Sequence, residues 1–257
     1  MIKRSKEESA RISKQRRELV IKSNDLIRNT RYNLTAVEQK IVIYLISKIV
    51  AQKTDTKTVQ LSIKEYCDLT GIQKGGRGYQ LVKESIKTLR NKSWWIPRSD
   101  GKEVLFSWID TAVIDGNNSG IINISLSESL MPYLIELKGN FTRYELINVL
   151  TLHSKYSIRL YEIFKSFLWL GNWEVSISEF RDLIDIQDKY KDYRDLRRYV
   201  IAPSIKEISK YTDLVVKFST TKKGNAIDLL RFEINEKMGY QISIDTILNQ
   251  RERLNNE

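Results

Sequence analysis

The sequence contains very few of the residues that form disulfides, metal sites and covalent catalytic centres. Among its 257 residues there is one cysteine, Cys67, and one histidine, His153. A single cysteine excludes an internal disulfide and a cysteine-rich zinc site. Cys67 falls on the apolar side of a helical pattern, which favours a buried, unreactive thiol. One histidine cannot supply the metal-binding pair that a rolling-circle nicking enzyme needs, and His153 is better interpreted as a helix-start or packing residue.

Proline and long apolar runs are also scarce. Only three residues are proline, and no apolar run approaches the ~20 residues of a membrane span. The N-terminus is charged and lacks the apolar core of a signal peptide. The chain has no Gly-x-x-x-x-Gly-Lys-Ser/Thr phosphate loop, and its carboxylates fit helix caps or surface positions. We therefore expect a cytoplasmic protein without membrane partner, metal, cofactor or enzymatic activity.

Positive charge, by contrast, is abundant. Lysine and arginine total 43 against 32 aspartates and glutamates, which gives a formal net charge of +11. Such an excess favours a polyanionic partner; the alternative is a merely solvated basic surface. A chain of this length forms one or two domains, each able to bury its own core.

Residues 61–72 return without a gap at 175–186, and six of the twelve positions are identical. Each copy is followed by a basic helical pattern and then by two strand-like runs around a polar turn. A duplicated unit on a cationic chain points to tandem nucleic-acid-binding modules. The alternative is that one short helix-turn pattern recurs by chance. The identical pairs are Ser62/Ser176, Ile63/Ile177, Glu65/Glu179, Asp68/Asp182, Leu69/Leu183 and Ile72/Ile186.

Capping boxes and a change of hydrophobic period predict the elements of each copy. Thr35 and Glu38 are spaced as a capping box, and the serine and glutamate of each repeat have the same spacing. After the third helix of each copy, the spacing at which apolar residues recur changes from about 3.6 residues to two, which predicts strands and hairpins. Helix, helix, basic helix and hairpin is the order of a winged helix. The predicted helices are 35–51, 62–71, 79–91, 128–137, 154–170, 176–183 and 192–210, and the predicted strands are 93–97, 104–109, 121–126, 173–175, 214–220 and 227–234.

The predicted fold class is therefore α+β, with tandem winged-helix domains. The expected divisions are a basic flexible arm at 1–18, winged helix 1 at 19–126, a connector at 127–150, winged helix 2 at 151–235, and a C-terminal tail at 236–257 that docks or stays loose.

The densest cationic pattern lies in residues 189–231, which hold eleven basic residues against five acidic ones. A basic face at the start of the third helix of the second unit suits DNA, because cations bind phosphates and arginine can grip guanine bidentately. Pro203 is expected to bend this helix or break its hydrogen-bond ladder. The alternative for each cation is a solvated face. The predicted DNA-binding residues are Lys191, Arg194, Arg197, Arg198 and Lys206 on this helix, Lys222 and Lys223 at the hairpin tip, and Lys83, Lys87 and Arg90 on the third helix of the first unit.

Two features of the first unit have structural interpretations. The glycine-rich run 75–78 is interpreted as a flexible loop between helices. Trp94, Trp95 and Trp108 lie on predicted strands, where core or dimer packing is favoured over base stacking and one ring faces outward. The predicted inner face of the 79–91 helix comprises Leu81, Val82, Ser85, Ile86 and Leu89.

Several strings of the chain, spread over roughly residues 19–235, resemble the iteron-binding initiator proteins of theta-replicating bacterial plasmids, the Rep initiators with two winged-helix domains. Each string alone is modest, and their combination is fairly specific. The matching strings are 20–27 (Val-Ile-Lys-Ser-Asn-Asp-Leu-Ile), 32–35 (Tyr-Asn-Leu-Thr), 38–40 (Glu-Gln-Lys), 154–162 (Ser-Lys-Tyr-Ser-Ile-Arg-Leu-Tyr-Glu), and 190–213 with Arg197-Arg198, Pro203-Ser204-Ile205-Lys206-Glu207-Ile208 and Thr212-Asp213.

The resemblance implies a protein that binds double-stranded repeats of a replication origin as a monomer, promotes duplex opening and recruits host initiator, helicase and loader. It implies that the second winged helix reads the major groove, while the first binds the other part of the repeat, contacting the DNA backbone, and supplies the dimer surface. It also implies a homodimer that binds an inverted repeat and represses its own promoter, a property that varies within the family. Two rivals stay open at this point. One is a winged-helix transcriptional regulator without an initiator role, and the other, disfavoured by the missing histidine pair, is a DNA nicking enzyme.

Overall fold

Two stretches of the chain share a core order of helix, strand, helix, helix and two strands, as the duplicated sequence predicts, and the first stretch has further elements around this core. The structure is a computed structural model, and it describes residues 6–52, 56–97, 101–115, 120–135, 137, 139–224 and 226–240. Most of the predicted C-terminal tail, from residue 241 onward, lies outside the described residues.

The first unit is built from helices and short antiparallel strands. Its elements are α1 (Lys6–Arg16), β1 (Leu19–Ser23), α2 (Asn24–Asn29), α3 (Ala36–Gln52), β2 (Thr58–Ser62), α4 (Ile63–Thr70), α5 (Gly76–Asn91), β3 (Ser93–Pro97), β4 (Glu103–Ser107), β5 (Ile109–Ile114) and β6 (Ile121–Leu126).

A 3₁₀ turn and two short elements lead to the second unit. The 3₁₀ turn is Glu128–Tyr133, followed by β7 (Phe141–Glu145) and α6 (Leu146–Leu150). The second unit comprises α7 (Lys155–Phe167), a 3₁₀ turn (Leu168–Leu170), β8 (Asn172–Ser176), α8 (Ile177–Leu183), α9 (Tyr193–Leu196), a π-helical turn (Arg197–Ile201), α10 (Ala202–Tyr211), β9 (Leu214–Lys223) and β10 (Ala226–Glu236).

The repeated segments form a strand that runs directly into a helix, β2–α4 in the first unit and β8–α8 in the second. The side chain of Ser62 accepts a hydrogen bond from the backbone N–H of Glu65 at 3.3 Å, and Ser176 accepts one from Glu179 at 3.2 Å. The predicted box of Thr35 is also present, because its N–H donates to Glu38 at 2.7 Å. Local capping thus fixes where these helices begin.

The two units also share one sheet topology, which confirms the duplication. The first has a three-stranded sheet in the order β2-β6-β5, and the second has one in the order β8-β10-β9. In each, the strand before the second helix pairs with the last strand of the unit. The strand pair that corresponds to β9–β10 is therefore β5–β6, and this pair is the wing of the first unit.

The predicted hairpin of the first unit is real, but it is not the wing. β3 pairs with β4 in an antiparallel register with Ser93 opposite Ser107, and the two strands form a separate sheet. Its inner side packs against aromatic rings: Trp94 of β3 lies 4.5 Å, between ring centroids, from Trp108, the residue that follows β4. Both tryptophans are buried, whereas Trp95 is 58% exposed. One ring of the three therefore faces outward, as predicted.

The N-terminal segment differs from the expected flexible arm. Residues 6–16 form α1, and its Ile12 is buried in the core. The guanidinium of Arg16 donates to the backbone oxygen of Leu69 at 2.8 Å, near the end of α4. One apolar side chain and one arginine at helical spacing are enough to dock a segment whose composition is otherwise that of a solvated tail.

The segment expected to connect the units carries structure of its own. β7 pairs with β1, with Val20 opposite Tyr144, so residues 141–145 complete a sheet with the start of the chain. The helix predicted at 128–137 is a shorter 3₁₀ turn. It contains Pro132, which has no N–H to donate to a longer helical ladder.

The glycine-rich run is the start of α5 and not a flexible loop. Gly75 precedes the helix at a φ of 121°, and Gly78 is buried inside its first turn. A Cβ added to Gly78 would lie 2.1 Å from the backbone oxygen of Gln73, so only glycine allows this close approach. Of the predicted inner face of this helix, Leu81 is exposed instead, while Val82, Ser85, Ile86 and Leu89 are buried.

Candidate nucleic-acid interface

The predicted DNA-facing helix is continuous from residue 193 to residue 211 and is called helix 193–211 below. It begins at the cap Asp192, whose carboxylate accepts from the backbone N–H of Arg194 at 2.7 Å. Leu196, Val200 and Ile208 are fully buried against the rest of the second unit. Their spacing of four and eight leaves the opposite side of the helix to solvent.

A π-helical turn, residues 197–201, interrupts this helix just before Pro203. The N–H of Ala202 donates to the backbone oxygen of Arg197, five residues back. The sequence prediction that the α-helical ladder breaks here is confirmed, and the physical reason is that proline supplies no N–H. Such π turns cluster at functional sites in proteins.

The wider π turn changes which side chains lie on the same side of the helix. A step of four residues overshoots one α-helical turn by about 40°, and a wider turn reduces the overshoot. Arg194, Arg198, Ala202 and Lys206 follow one another at this step, and all four are exposed. Helix 193–211 therefore presents a cationic line opposite its buried side.

The other predicted cations of this helix flank that line. Lys191 and Arg197 are exposed. Arg194 forms an ion pair with Asp192, with 3.1 Å between nitrogen and oxygen. Within the described part of the chain, no carboxylate pairs with Lys191, Arg197, Arg198 or Lys206. Most of the positive charge of this helix is thus open to an external anion.

The β9–β10 hairpin places two more predicted cations beside the helix. Lys222 and Lys223 are the last residues of β9 and lie opposite Ile227 and Ala226, next to the turn at Gly224. Both lysines are exposed. The backbone N–H of Val216 on β9 donates to the hydroxyl of Ser209 at 3.1 Å, which ties the hairpin to helix 193–211. The structure therefore brings helix and hairpin lysines into one winged-helix unit.

The three predicted cations of the first unit lie on α5, the counterpart of helix 193–211. Lys83, Lys87 and Arg90 are exposed, as predicted. Arg90 is partly engaged, because its Nε donates to the backbone oxygen of Asp110 at 2.7 Å. Lys87 lies 4.0 Å from Glu84, one helical turn back. Among the described residues, this face therefore has fewer unpaired cations than helix 193–211.

Sequence reasoning missed Arg181, which holds the turn before helix 193–211. Its guanidinium donates to three consecutive backbone oxygens, those of Lys189 at 2.7 Å, Tyr190 at 2.5 Å and Lys191 at 3.0 Å. Tyr190 has a positive φ of 52°, a conformation that costs energy for a non-glycine residue. An arginine eight to ten residues upstream gave no local signal of this role.

Sequence reasoning also missed Tyr199, which lies inside the π turn. Its ring is 51% exposed and stacks on Tyr190 with centroids 5.9 Å apart. The guanidinium of Arg198 lies 5.3 Å from the same ring. An aromatic ring held in this way beside an arginine stiffens the arginine side chain, which lowers the entropy lost on binding.

The single cysteine and the single histidine both occupy structural positions. Cys67 is buried, and burial raises the pKa of its thiol. His153 lies one residue before the cap of α7, and its Nδ1 is 3.1 Å from the carboxylate of Glu207. Among the described residues, no three histidine, cysteine or carboxylate side chains come together as a metal site. No helix in the described ranges is long and apolar enough to cross a membrane.

Two winged helices in tandem, each with a cation-bearing third helix, define the class of this protein as a winged-helix DNA-binding protein. Residues 19–165 match the family described as "Initiator Replication protein, WH1", and residues 176–234 match "Initiator Rep protein, WH2". The chain therefore belongs to the replication initiator protein family with two winged-helix domains.

Individual relatives agree with this assignment. A replication initiation protein of Escherichia coli is 26% identical over 84% of this chain and 69% of its own length. A protein of Bifidobacterium longum (strain NCC 2705), described as a probable replication protein, is 25% identical over 80% of this chain and 69% of its own length. A crystal structure of Pi initiator protein in complex with iteron DNA has 18% identity and a TM-score of 0.66, over 87% of this chain and 99% of that one.

Proposed function

We propose that this initiator binds repeated double-stranded DNA of a plasmid origin and that helix 193–211 reads the major groove. The observation that carries the proposal is the exposed cationic line of this helix beside the two lysines of the β9–β10 tip. A relative in fold was crystallised with iteron DNA, which supports the same class of ligand here. Arg194, Arg197 and Arg198 are the side chains suited to bases, since arginine can bind guanine bidentately. Lys191, Lys206, Lys222 and Lys223 are suited to phosphates.

The two units divide the work in this proposal. The second unit, residues 151–235, reads sequence because its helix has more open charge. The first unit, residues 19–126, binds the DNA backbone of the neighbouring turn through Lys83, Lys87 and Arg90 of α5. The connector at 127–150 holds the two at a fixed spacing, since its β7 pairs with β1 of the first unit and the hydroxyl of Tyr144 on β7 donates to Glu162 of α7 in the second.

A homodimer through the β3–β4 hairpin belongs to the same proposal. Trp95 and Leu105 lie opposite each other in the register, and both are exposed. A cross-strand apolar pair on an open hairpin is a surface that a second copy can cover. The dimer would bind an inverted repeat and repress the initiator's own promoter. Recruitment of host initiator, helicase and loader, action in the cytoplasm and the absence of enzymatic activity complete the proposal.

Supplying the protein in trans to a plasmid that carries only the origin tests the initiator role. We expect replication of that plasmid and a footprint on its repeats. A footprint without replication would favour the rival of a transcriptional regulator. A relaxation assay on the same supercoiled plasmid tests the rival of a nicking enzyme, and relaxation without added nuclease would overturn the assignment as a non-enzyme.

A further inference from the structure

Three lysines from distant parts of the chain meet where the two units join. Lys92 caps the C-terminal end of α5 in the first unit. Lys155 is the first residue of α7, and Lys189 lies in the turn before helix 193–211. We call these three residues the seam lysines.

Hydrogen bonds and ring contacts bring the seam lysines together. The Nζ of Lys155 donates to Oδ1 of Asn33 at 2.9 Å, and the Nζ of Lys92 donates to the backbone oxygen of the same asparagine at 3.0 Å. The ring of Tyr156 meets that of Tyr190 edge-on at 6.4 Å. Because these tyrosines are the chain neighbours of Lys155 and Lys189, the contact places those two lysines at one surface.

The seam lysines continue the basic surfaces of both DNA-facing helices. On one side, Tyr190 stacks on Tyr199, over which Arg198 lies. On the other side, Lys92 follows Arg90 of α5 by two residues. A line of cations therefore runs from helix 193–211 through the seam to the end of α5.

Part of the charge at the seam is open. Lys92 is paired with Glu38 at 2.7 Å. Within the described ranges no carboxylate lies at ion-pair distance from Lys155 or Lys189. Burial lowers the pKa of Lys155, the positive charges of Lys189 and Lys92 lower it further, and Asp185 and Glu38 oppose this. Positive charges that repel one another at a surface stabilise a bound anion.

We propose that Lys155 and Lys189 form a phosphate-binding site for the DNA backbone between the segments contacted by helix 193–211 and by α5, with Lys92 held beside them by Glu38 and Asn33. The ligand class is the phosphodiester, for which a flexible ammonium with three donors is suited. Lys155 uses one of these donors on Asn33, which leaves the others for phosphate oxygens. This inference rests on the proposed function, and it adds a contact that fixes the spacing of the two contacted segments.

The test compares the full chain with K155Q, K189Q and the control K210Q. Lys210 is an exposed lysine in the last turn of α10, far along the helix from Arg194, and its loss removes the same charge. Affinity for the footprinted repeat is measured against salt concentration. We expect K155Q and K189Q each to reduce the log–log slope by about one, with base preference unchanged, and K210Q to leave the slope as in the parent chain.

Methylphosphonate DNA, in which single phosphates are neutral, locates the site. Neutralising phosphates between the two contacted segments should weaken binding of the parent chain, and K189Q should be insensitive at those same positions. Only the backbone oxygen of Lys189 is used by Arg181, so K189Q should keep the parent unfolding temperature. Equal sensitivity of K189Q and parent at every phosphate would overturn the seam site. Failure of the proposed function would look different, because the parent chain itself would then give no footprint.

Discussion

At the scale of single residues, the proposal gives base contacts to arginines of the helix and phosphate contacts to lysines of the wing. Arg198 is exposed on helix 193–211 and is steadied by the ring of Tyr199 at 5.3 Å. Lys222 and Lys223 end a strand at a hairpin turn, and we expect their flexible ammonium groups to contact phosphates without a fixed geometry. We therefore expect direct readout from the helix and backbone contact from the wing.

Alanine substitutions test this assignment residue by residue. Replacing Arg194 or Arg198 should cost roughly 1–3 kcal/mol of specific binding and blur the preference at one or two base pairs, because a bidentate base contact is lost. Replacing Lys222 or Lys223 should weaken all sequences alike. Competition binding against single-base variants of the repeat measures both. Altered base preference in the lysine variants and none in the arginine variants would mean that the helix is not the reader.

At the scale of elements, the entry to helix 193–211 depends on one side chain from the preceding helix. Arg181 of α8 holds three consecutive carbonyls of the turn that contains Tyr190 at positive φ. Hydrogen bonds from a charged donor contribute about 1.5–3 kcal/mol each when they are shielded from water, and here they are partly exposed. We expect their main effect to be to fix the angle at which the helix leaves the turn.

Replacing Arg181 with alanine should therefore reduce specificity more than stability. We expect the ratio of specific to non-specific affinity to fall about tenfold or more, which is about 1.4 kcal/mol, while non-specific binding stays close to that of the parent chain. Binding titrations on repeat and random duplexes measure the ratio. The control is Arg231→Ala, which removes an equal charge from an exposed pair with Glu174. An unchanged ratio in the Arg181 variant would show that Arg181 does not position the helix for specific binding.

At the scale of the whole molecule, the units meet through buried polar groups as well as apolar ones. The ammonium of Lys22 on β1 lies 2.6 Å from the carboxylate of Glu162 on α7, and both side chains are almost fully buried. The hydroxyl of Tyr144 on β7 donates to the same carboxylate at 2.5 Å. Burial, and then the charge of Glu162, raise the pKa of this tyrosine well above its usual value, so it remains a donor.

Removing one partner of this pair should be costly. Glu162→Ala leaves the ammonium of Lys22 buried and unpaired, and we expect a loss of about 3–5 kcal/mol in the free energy of unfolding. The double variant K22M/E162L should lose less, because no charge stays buried. Denaturant unfolding measures both. Arg31→Ala, which breaks the exposed pair with Asp182, serves as the control at about 0–1 kcal/mol. Equal losses for the Glu162 and Arg31 variants would contradict the structural role of the buried pair.

The molecule as a whole should bind DNA with a steep salt dependence. If the cations of helix 193–211 and the wing tip meet about five or six phosphates, the slope of log affinity against log salt should be near −5. Filter binding or anisotropy between low and physiological salt measures it. A slope close to zero would show that the cationic surface is not the DNA-binding face.

Local sequence was sufficient for much of this fold. Capping boxes at Thr35 and Ser176, the periods of three to four and of two, and the internal repeat predicted most helices and the second wing, because each signal lies within a few residues of its partner. The break before Pro203 was predictable for the same reason, since it follows from a missing N–H. The contacts proposed for the ten predicted DNA-binding residues stay predictions, although the structure places all ten side chains at the surface.

Tertiary structure alone decided what depends on residues far apart in the chain. Three features join positions that no local pattern connects: the docking of α1 by Ile12, the buried pair of Lys22 with Glu162, and the pairing of β2 with β6, which identifies β5–β6 as the wing of the first unit. Lys155 meets Asn33 across 122 residues, and Arg181 acts on a turn only because α8 folds back beside it. By itself, the sequence determined a duplicated, cationic winged-helix protein. The fold determined which cations stay open and how the two units are held, since burial and pairing are properties of three-dimensional neighbours.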